Sequence, residues 1–293
     1  MVEQPVSTPL ALTNDGTLEI VFLGTGTAFA RRLFQTNLLI IKGEEHVLVD
    51  FGMTGPQALQ ALGLTGMDIR TILPTHSHSD HIGGLEYLTL VNRYMAVPSG
   101  KEKLNMIITD VYRPILWDLS LRGGLEYNEQ NAEGRRLSYD DLYTTHVPQQ
   151  IASEPRSIFS IDMNGIKLEL FHTNHIPGEA DSPKDAFVTY GLLIDDRVFF
   201  SGDTKFDRDL IDMYADRSEI MFHDASMTPN QVHAWVEDLR GIPEEIRRKM
   251  YLVHYQDEMT DDDAADFKGL AKQGIRYLFP LSLIHISEPT RPY

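Results

Sequence analysis

The 293-residue chain contains no cysteine. Disulfide bonds and thiolate metal sites are therefore excluded, and any metal must be held by histidine, aspartate or glutamate. Basic residues are few beside acidic ones: 26 Lys and Arg stand against 43 Asp and Glu, a formal net charge of −17. Broad contact with a nucleic-acid backbone needs a basic surface, so extended nucleic-acid binding is not expected. A small phosphate ligand stays open, because bound cations would supply positive charge locally. No stretch approaches the ~20 apolar residues that span a bilayer. Residues Met1–Gly16 are polar and acidic and lack the apolar run of a signal peptide. The expectation is a soluble, cytoplasmic protein with no membrane contact.

What is present is ordinary globular composition, with 42% hydrophobic and 24% charged residues, so a packed core is expected. Leu18–Gly24 reads as a buried strand running into the loop Gly24-Thr25-Gly26-Thr27. Three hairpins are expected: Asn37–Ile41 with His46–Asp50, Ile158–Asp162 with Ile166–Phe171, and Phe187–Ile194 with Val198–Ser201. Further strands are Ile69–Leu73, Ile220–His223, Met250–His254 and Ile275–Phe279. Helices are expected at Pro56–Leu62, His81–Tyr94, Val111–Leu121, Asp207–Tyr214, Asn230–Arg240, Glu244–Lys249 and Asp261–Gln273. Strand-rich hairpins punctuated by helices occur in each half, which suggests two sheets between helices with a site where the halves meet. Residues 1–280 are read as one domain, with a less regular insertion or cap at about 96–156. Leu281–Tyr293 resembles a translated sequencing adapter, so the natural chain is expected to end near Pro280 and the tail is set aside.

His76, His78, Asp80 and His81 fall within six residues, directly after an apolar strand. A loop at a strand end can fan these side chains towards one point, and imidazole with carboxylate is the usual ligand set for Zn²⁺ and related ions. A merely histidine-rich polar loop, or a single structural metal, would leave the ligand-type residues downstream surplus.

The run Thr75-His76-Ser77-His78-Ser79-Asp80-His81 resembles the HxHxDH motif of the metallo-β-lactamase superfamily. Other motifs of that superfamily follow in order: Asp50 closing Val47-Leu-Val-Asp50, His175 in Thr173-Asn-His175, Asp203 in Ser201-Gly-Asp203, and His254 in Leu252-Val-His254. The resemblance implies a four-layer αββα sandwich of the α/β class and a binuclear hydrolase. By that resemblance His76, His78 and His175 hold one divalent ion, Asp80, His81 and His254 hold a second, and Asp203 bridges them. A metal-bridging hydroxide is the nucleophile, and Asp80 belongs to the catalytic set. Zinc is the expected metal, with manganese and iron as alternatives. Asp50 orients a ligand histidine. His172, three residues before His175, is the rival for the third position.

The substrate class rests on further resemblance. Met221-Phe-His223-Asp224-Ala225 resembles the His-Glu-Ala-Thr motif of ribonuclease Z-like phosphodiesterases, with Asp224 where those enzymes have Glu, and His233 stands 21 residues before His254 as their pairing histidine does. Leu23-Gly-Thr-Gly-Thr-Ala28 is similar to the opening loop of that branch and of cyclic phosphodiesterases. The implied roles are Asp224 and His233 as catalytic residues for the leaving group; the competing reading is a buried polar pair. Only 28 residues separate His175 from Asp203, too few for the arm with which ribonuclease Z grips tRNA. The expected substrate is therefore a small or cyclic phosphodiester. The alternative is a lactonase, thioesterase or β-lactamase using the same centre. An iron-dependent reduction reading lacks a flavodoxin-like segment. Tyr112, Trp117, Arg113, Arg122 and Tyr127 are candidates for a lid, His46 and His146 read as structural or surface residues, and a homodimer is left open.

Overall fold

A computed structural model describes residues 1–280; the suspected tail, 281–293, lies outside the described residues. Strands β1 (Val2–Pro5), β2 (Leu18–Gly24), β3 (Asn37–Lys42), β4 (Glu45–Val49), β5 (Thr71–Leu73), β6 (Leu104–Ile107) and β7 (Tyr143–His146) build one sheet. The second comprises β8 (Gln149–Ala152), β9 (Ile158–Met163), β10 (Ile166–His172), β11 (Tyr190–Ile194), β12 (Val198–Phe200), β13 (Ile220–Asp224), β14 (Met250–Val253) and β15 (Gly269–Leu270). The chain then returns to the first sheet, where β16 (Ile275–Phe279) pairs between β1 and β2. The α/β sandwich follows: two mixed sheets packed face to face, with helices on their outer sides.

Alternation along the strands explains the layering. In β12, Val198 and Phe200 join the core between the sheets, whereas Phe199 joins a second core against the helix Arg208–Ala215. In β13 the same division separates Phe222 from Met221. Period-2 side-chain direction thus gives a doubly covered strand two apolar faces. Across the sheet interface Phe22 meets Phe222 edge-on with ring centroids 4.9 Å apart, a favoured aromatic geometry.

Each sheet is antiparallel on one side and parallel on the other. Pairing is parallel from β4 to β7 and from β12 to β15. The carboxyl ends of parallel strands open onto one edge, where α/β folds place their ligands.

Several expected elements differ. The stretch 96–156 is woven into the sheets, giving the first sheet β6 and β7 and the second its edge strand β8. The helix expected from Asn230 begins only at Val236. Before it, the Asn230 side chain accepts from the backbone N–H groups of Val232 and His233, a local turn that competes with helix. The helix expected over Asp261–Gln273 is a series of turns plus β15, because Lys268 and Ala271 donate their backbone N–H groups to β14 instead. The helix expected over His81–Tyr94 is interrupted at Gly83-Gly84 and resumes as Leu85–Val91. No helix among the described residues is long and apolar enough to cross a membrane.

His46 is buried, and its Nε2 accepts the backbone N–H of Arg70 at 3.0 Å. Burial, then the Arg70 charge, holds its pKa down to about 4 from 6.5. The unfolded chain therefore takes up a proton as pH falls through 6.5 while the folded chain resists until about 4. Stability contributed above 6.5 is lost across that window, by about 3 kcal/mol. His46→Gln should show a smaller drop in Tm than the wild type on going from about pH 7 to pH 5. An equal drop in both proteins would remove this role.

Candidate metal centre

The candidate residues arrive on separate loops at one edge of the sandwich. Asp50 follows β4, the His76–His81 run follows β5, Asp203 follows β12, Asp224 ends β13 and His254 follows β14. His175 enters from the loop after β10. Asp50 and His254 have φ of 60° and 56°, a conformation that non-glycine residues adopt at an energetic cost and that gathers at functional sites. Gly52 allows the closest approach: a Cβ there would lie 2.0 Å from the Asp80 carbonyl oxygen.

Two groups of side chains converge. His76, His78, His175 and Asp203 form one, and Asp80, His81, His254 and Asp203 the other, with the ligand atoms of each group within 4.8 Å of one another. Asp203 Oδ2 lies 3.2 Å from His81 Nε2, 3.5 Å from His254 Nε2, 3.7 Å from His175 Nε2 and 3.9 Å from His76 Nε2. Asp80 Oδ2 lies 3.2 Å from His254 Nε2. His76 Nε2 and His81 Nε2 are buried without a hydrogen-bond partner among the described residues. Buried polar nitrogens left in this way are costly unless something binds them. A cluster of nitrogen and carboxylate donors with orphaned, inward-facing nitrogens fits divalent metal. His78 is the exposed member, so the centre opens to solvent on that side.

The protonation balance points the same way. Burial, with the neighbouring His81, pushes His76 far down, and burial holds His175 to about 4, so both are neutral and able to ligate. Burial also acts against charge on His81 and His254, but the carboxylates outweigh it. Asp203, Asp80 and Asp50 hold His81 well up, and Asp203, Asp224 and Asp80 bring His254 to about 10. A metal must displace those protons, so binding releases protons and weakens in acid.

A second layer orients the first. His81 Nδ1 donates to Asp50 Oδ2 at 2.7 Å, and Asp50 also accepts from the backbone N–H of Thr75 at 2.7 Å and its hydroxyl at 2.8 Å. His175 Nδ1 donates to the Val232 carbonyl at 2.7 Å, which leaves Nε2 facing the cluster. His172 turns elsewhere, donating through Nε2 to the Phe187 carbonyl, so it is not the third ligand in this geometry.

Asp224 links two histidines. Its Oδ2 accepts from His233 Nδ1 at 2.7 Å and from the Thr204 backbone N–H at 3.1 Å, while Oδ1 lies 3.6 Å from His254 Nδ1. The His233 ring stacks on His254 at 4.8 Å. Burial works against a charged His233, but Asp224 outweighs it and raises its pKa.

A cleft of about 540 Å³ is lined by Thr27–Arg31, Val232, His233 and His254. A larger one, about 730 Å³, lies beside His46 and Arg70 and touches none of the candidate ligands. Chemistry rather than volume decides between them, and the smaller cleft holds it. None of the five lid candidates lines that cleft. Tyr112 is buried, with its hydroxyl bonded to Ser77 Oγ at 3.0 Å, Trp117 packs on Tyr139, and Arg122 pairs with Asp118 and Glu126. Composition does not separate an inward aromatic from a lid. His146 is bonded to Asn105 at the end of β7, away from the centre.

Sequence reasoning passed over two contributors. Lys205 Nζ donates to the carbonyls of Pro177, Gly178 and Ala180, tying down the loop after His175. Asp257 binds the backbone of Arg31–Leu33. Neither carries a motif; Lys205 follows Asp203-Thr204 closely enough for its position alone to be a hint.

This fold and this cluster define a metal-dependent hydrolase of the metallo-β-lactamase fold. Residues 18–277 match the family model described as Anti-Pycsar protein Apyc1, and the chain belongs to that family. It is 33% identical over 245 residues to the Apyc1 protein of Paenibacillus sp. strain J14, covering 83% of this chain and 91% of that one. It is 33% identical over 265 residues to that of Bacillus phage 010DV004, covering 89% and 98%. The solved structure of the metallo-β-lactamase fold protein YhfI from Bacillus subtilis superposes with a TM-score of 0.66 at 15% identity, covering 89% of this chain and 99% of that chain.

Asp50→Asn should lower affinity for divalent metal about 10- to 100-fold, as expected when an outer partner of a ligand histidine is lost. Competition with a chromogenic chelator measures this directly, and an unchanged affinity would exclude the role.

Proposed function

We propose that this protein hydrolyses a small cyclic phosphodiester of the cyclic-nucleotide class, using two divalent ions, most simply zinc. His76, His78 and His175 would hold one ion and Asp80, His81 and His254 the other, with Asp203 shared. When bound, such ions neutralise phosphate charge and make a water-derived nucleophile available near neutral pH.

The observation that carries the reading is the Asp224–His233 pair. The alkoxide that departs from a phosphodiester is strongly basic and needs a proton as it leaves, and this pair is placed to deliver one. Asp224 outweighs burial and raises the pKa of His233, which favours its protonated form, and His233 lines the open cleft. As the bond between phosphorus and the leaving oxygen breaks, the His233 proton passes to that oxygen, giving a hydroxyl. Asp224 keeps the imidazole oriented and balances its charge. Because its other oxygen faces His254, the carboxylate ties proton delivery to the metal ligands. Asp80 holds His254 and His81 in place from the opposite side.

Charge and topology support a small substrate. A net charge of −17 disfavours an extended polyanion, and bound ions would supply the positive charge that a small phosphate needs. A cleft of about 540 Å³ is of small-ligand size.

His233→Ala should lower kcat on a cyclic nucleotide by roughly 10²–10⁴-fold with metal content unchanged; Asp224→Asn should lower kcat and also weaken metal binding, because the other Asp224 oxygen faces His254. The loss should be smaller on bis(p-nitrophenyl) phosphate, whose leaving group departs without needing a proton. If the metal-loaded protein leaves bis(p-nitrophenyl) phosphate and a panel of cyclic nucleotides intact, the proposal is lost. Removal of metal by a chelator should abolish turnover, and zinc or manganese should restore it.

A further inference from the structure

The loop between β2 and β3 carries an unusual side chain. Phe29 exposes 92% of its surface, more than any other large hydrophobic residue among the described residues. A single exposed apolar side chain needs no explanation by itself. Two observations set this one apart. Phe29 lines the same cleft as His233 and His254. The loop that presents it is also firmly held, so the exposure is not slack chain.

The anchors lie on both sides of the ring. Thr27 donates its backbone N–H to the carbonyl of Tyr255, the residue after His254, at 3.2 Å. Gln35 Nε2 donates to the Ala28 carbonyl at 3.1 Å, and Ala30 N–H closes a turn on the Thr27 carbonyl at 3.2 Å. The Asp257 carboxylate then accepts from the N–H groups of Arg31 at 2.7 Å, Arg32 at 3.1 Å and Leu33 at 3.1 Å. The turn is tight at Gly26, where a Cβ would lie 2.7 Å from the Ala30 Cβ. A backbone fixed at this many points could have buried an apolar ring or carried a polar residue. It instead holds an aromatic face in water beside the reacting groups.

We infer that Phe29 is a specificity residue, the platform on which the aromatic base of the substrate stacks while its phosphate occupies the metal centre. This rests on the phosphodiesterase reading above and goes further, since it states what recognises the remainder of the molecule. Stacking on an aromatic face accepts every base, because each has a π-face. The ring thus selects for a nucleobase over a bare cyclic phosphate, with weak preference among bases. It also explains how an acidic protein holds a nucleotide without a basic surface: the base contributes affinity that charge does not.

The test compares a 3′,5′-cyclic nucleotide with its baseless counterpart, a 1-methoxyribose 3′,5′-cyclic phosphate, on the metal-loaded full chain. Phe29→Ala should raise KM for the cyclic nucleotide about tenfold, within the range of base–aromatic stacking, with kcat nearly unchanged. KM for the baseless substrate should not move. Phe29→Trp should restore the nucleotide KM, and Phe29→Leu, apolar but not aromatic, should not. Titration calorimetry with the phosphorothioate analogue of the cyclic nucleotide should show the same pattern in binding. Equal KM values in the wild type and Phe29→Ala overturn the inference, as does a rise that is the same for both substrates. A shift of Phe29→Ala in oligomeric state with the KM ratio unchanged assigns the ring to contact between copies, and also overturns it. Failure of the wild type to cleave either substrate removes the phosphodiesterase reading itself, and this inference with it.

Discussion

One carboxylate sets the terms for the rest of the molecule. Asp203 is fully buried with four histidines around a single oxygen, the nearest 3.2 Å and the farthest 3.9 Å away. Such a gathering of ionisable groups is unfavourable in a bare protein interior. It becomes favourable when cations occupy the space between them, since imidazole nitrogens and carboxylate oxygens then find partners. The fold must therefore supply enough packing elsewhere to hold this arrangement in readiness. It does so with two apolar layers, one between the sheets and one beneath the helix Arg208–Ala215.

Precision comes from where the ligands are rooted. They follow or end central strands whose positions are set by ladders on both sides, so a ligand loop cannot drift without breaking sheet. The strained backbone at Asp50 and His254 is tolerated for the same reason. Outer partners complete the constraint: Asp50 aims His81, and the Val232 carbonyl aims His175. Val232 and His233 belong to one turn, so the segment that orients a ligand also carries the proposed proton donor.

That coupling gives the site its chemical direction. Asp224 has one oxygen towards His233 and the other towards His254, and His233 stacks against His254. His233, Asp224, His254 and the clustered side chains beyond it form one connected polar network, in which each member's protonation depends on the others. The glycine loop reaches the network from the opposite half through Tyr255, bringing the cleft wall and the metal centre into one unit.

Much of the core, and the histidine and aspartate residues that cluster, were legible in the sequence, because those features are local. The apolar alternation of β2, β3, β10 and β13 states their burial, and the spacing within His76–His81 states a metal-type donor cluster wherever that loop lies. Helix periodicity was less trustworthy: the segments beginning at Asn230 and Asp261 carry helical spacing, yet local turn bonds and edge pairing with β14 prevailed. Residues 96–156 looked irregular because β6, β7 and β8 are short, four residues each, and β6 and β7 gain their partners from strands more distant in the chain. What the sequence by itself determined was the chemistry available: no thiol, imidazole and carboxylate as the metal-type donors, and an excess of acidic over basic residues. What only the tertiary structure decided was which of these meet. His172 turns away to the Phe187 carbonyl, Asp224 reaches two histidines at once, and Phe29 lines the cleft. Those outcomes depend on contacts between residues far apart in the chain, and no local pattern encodes them.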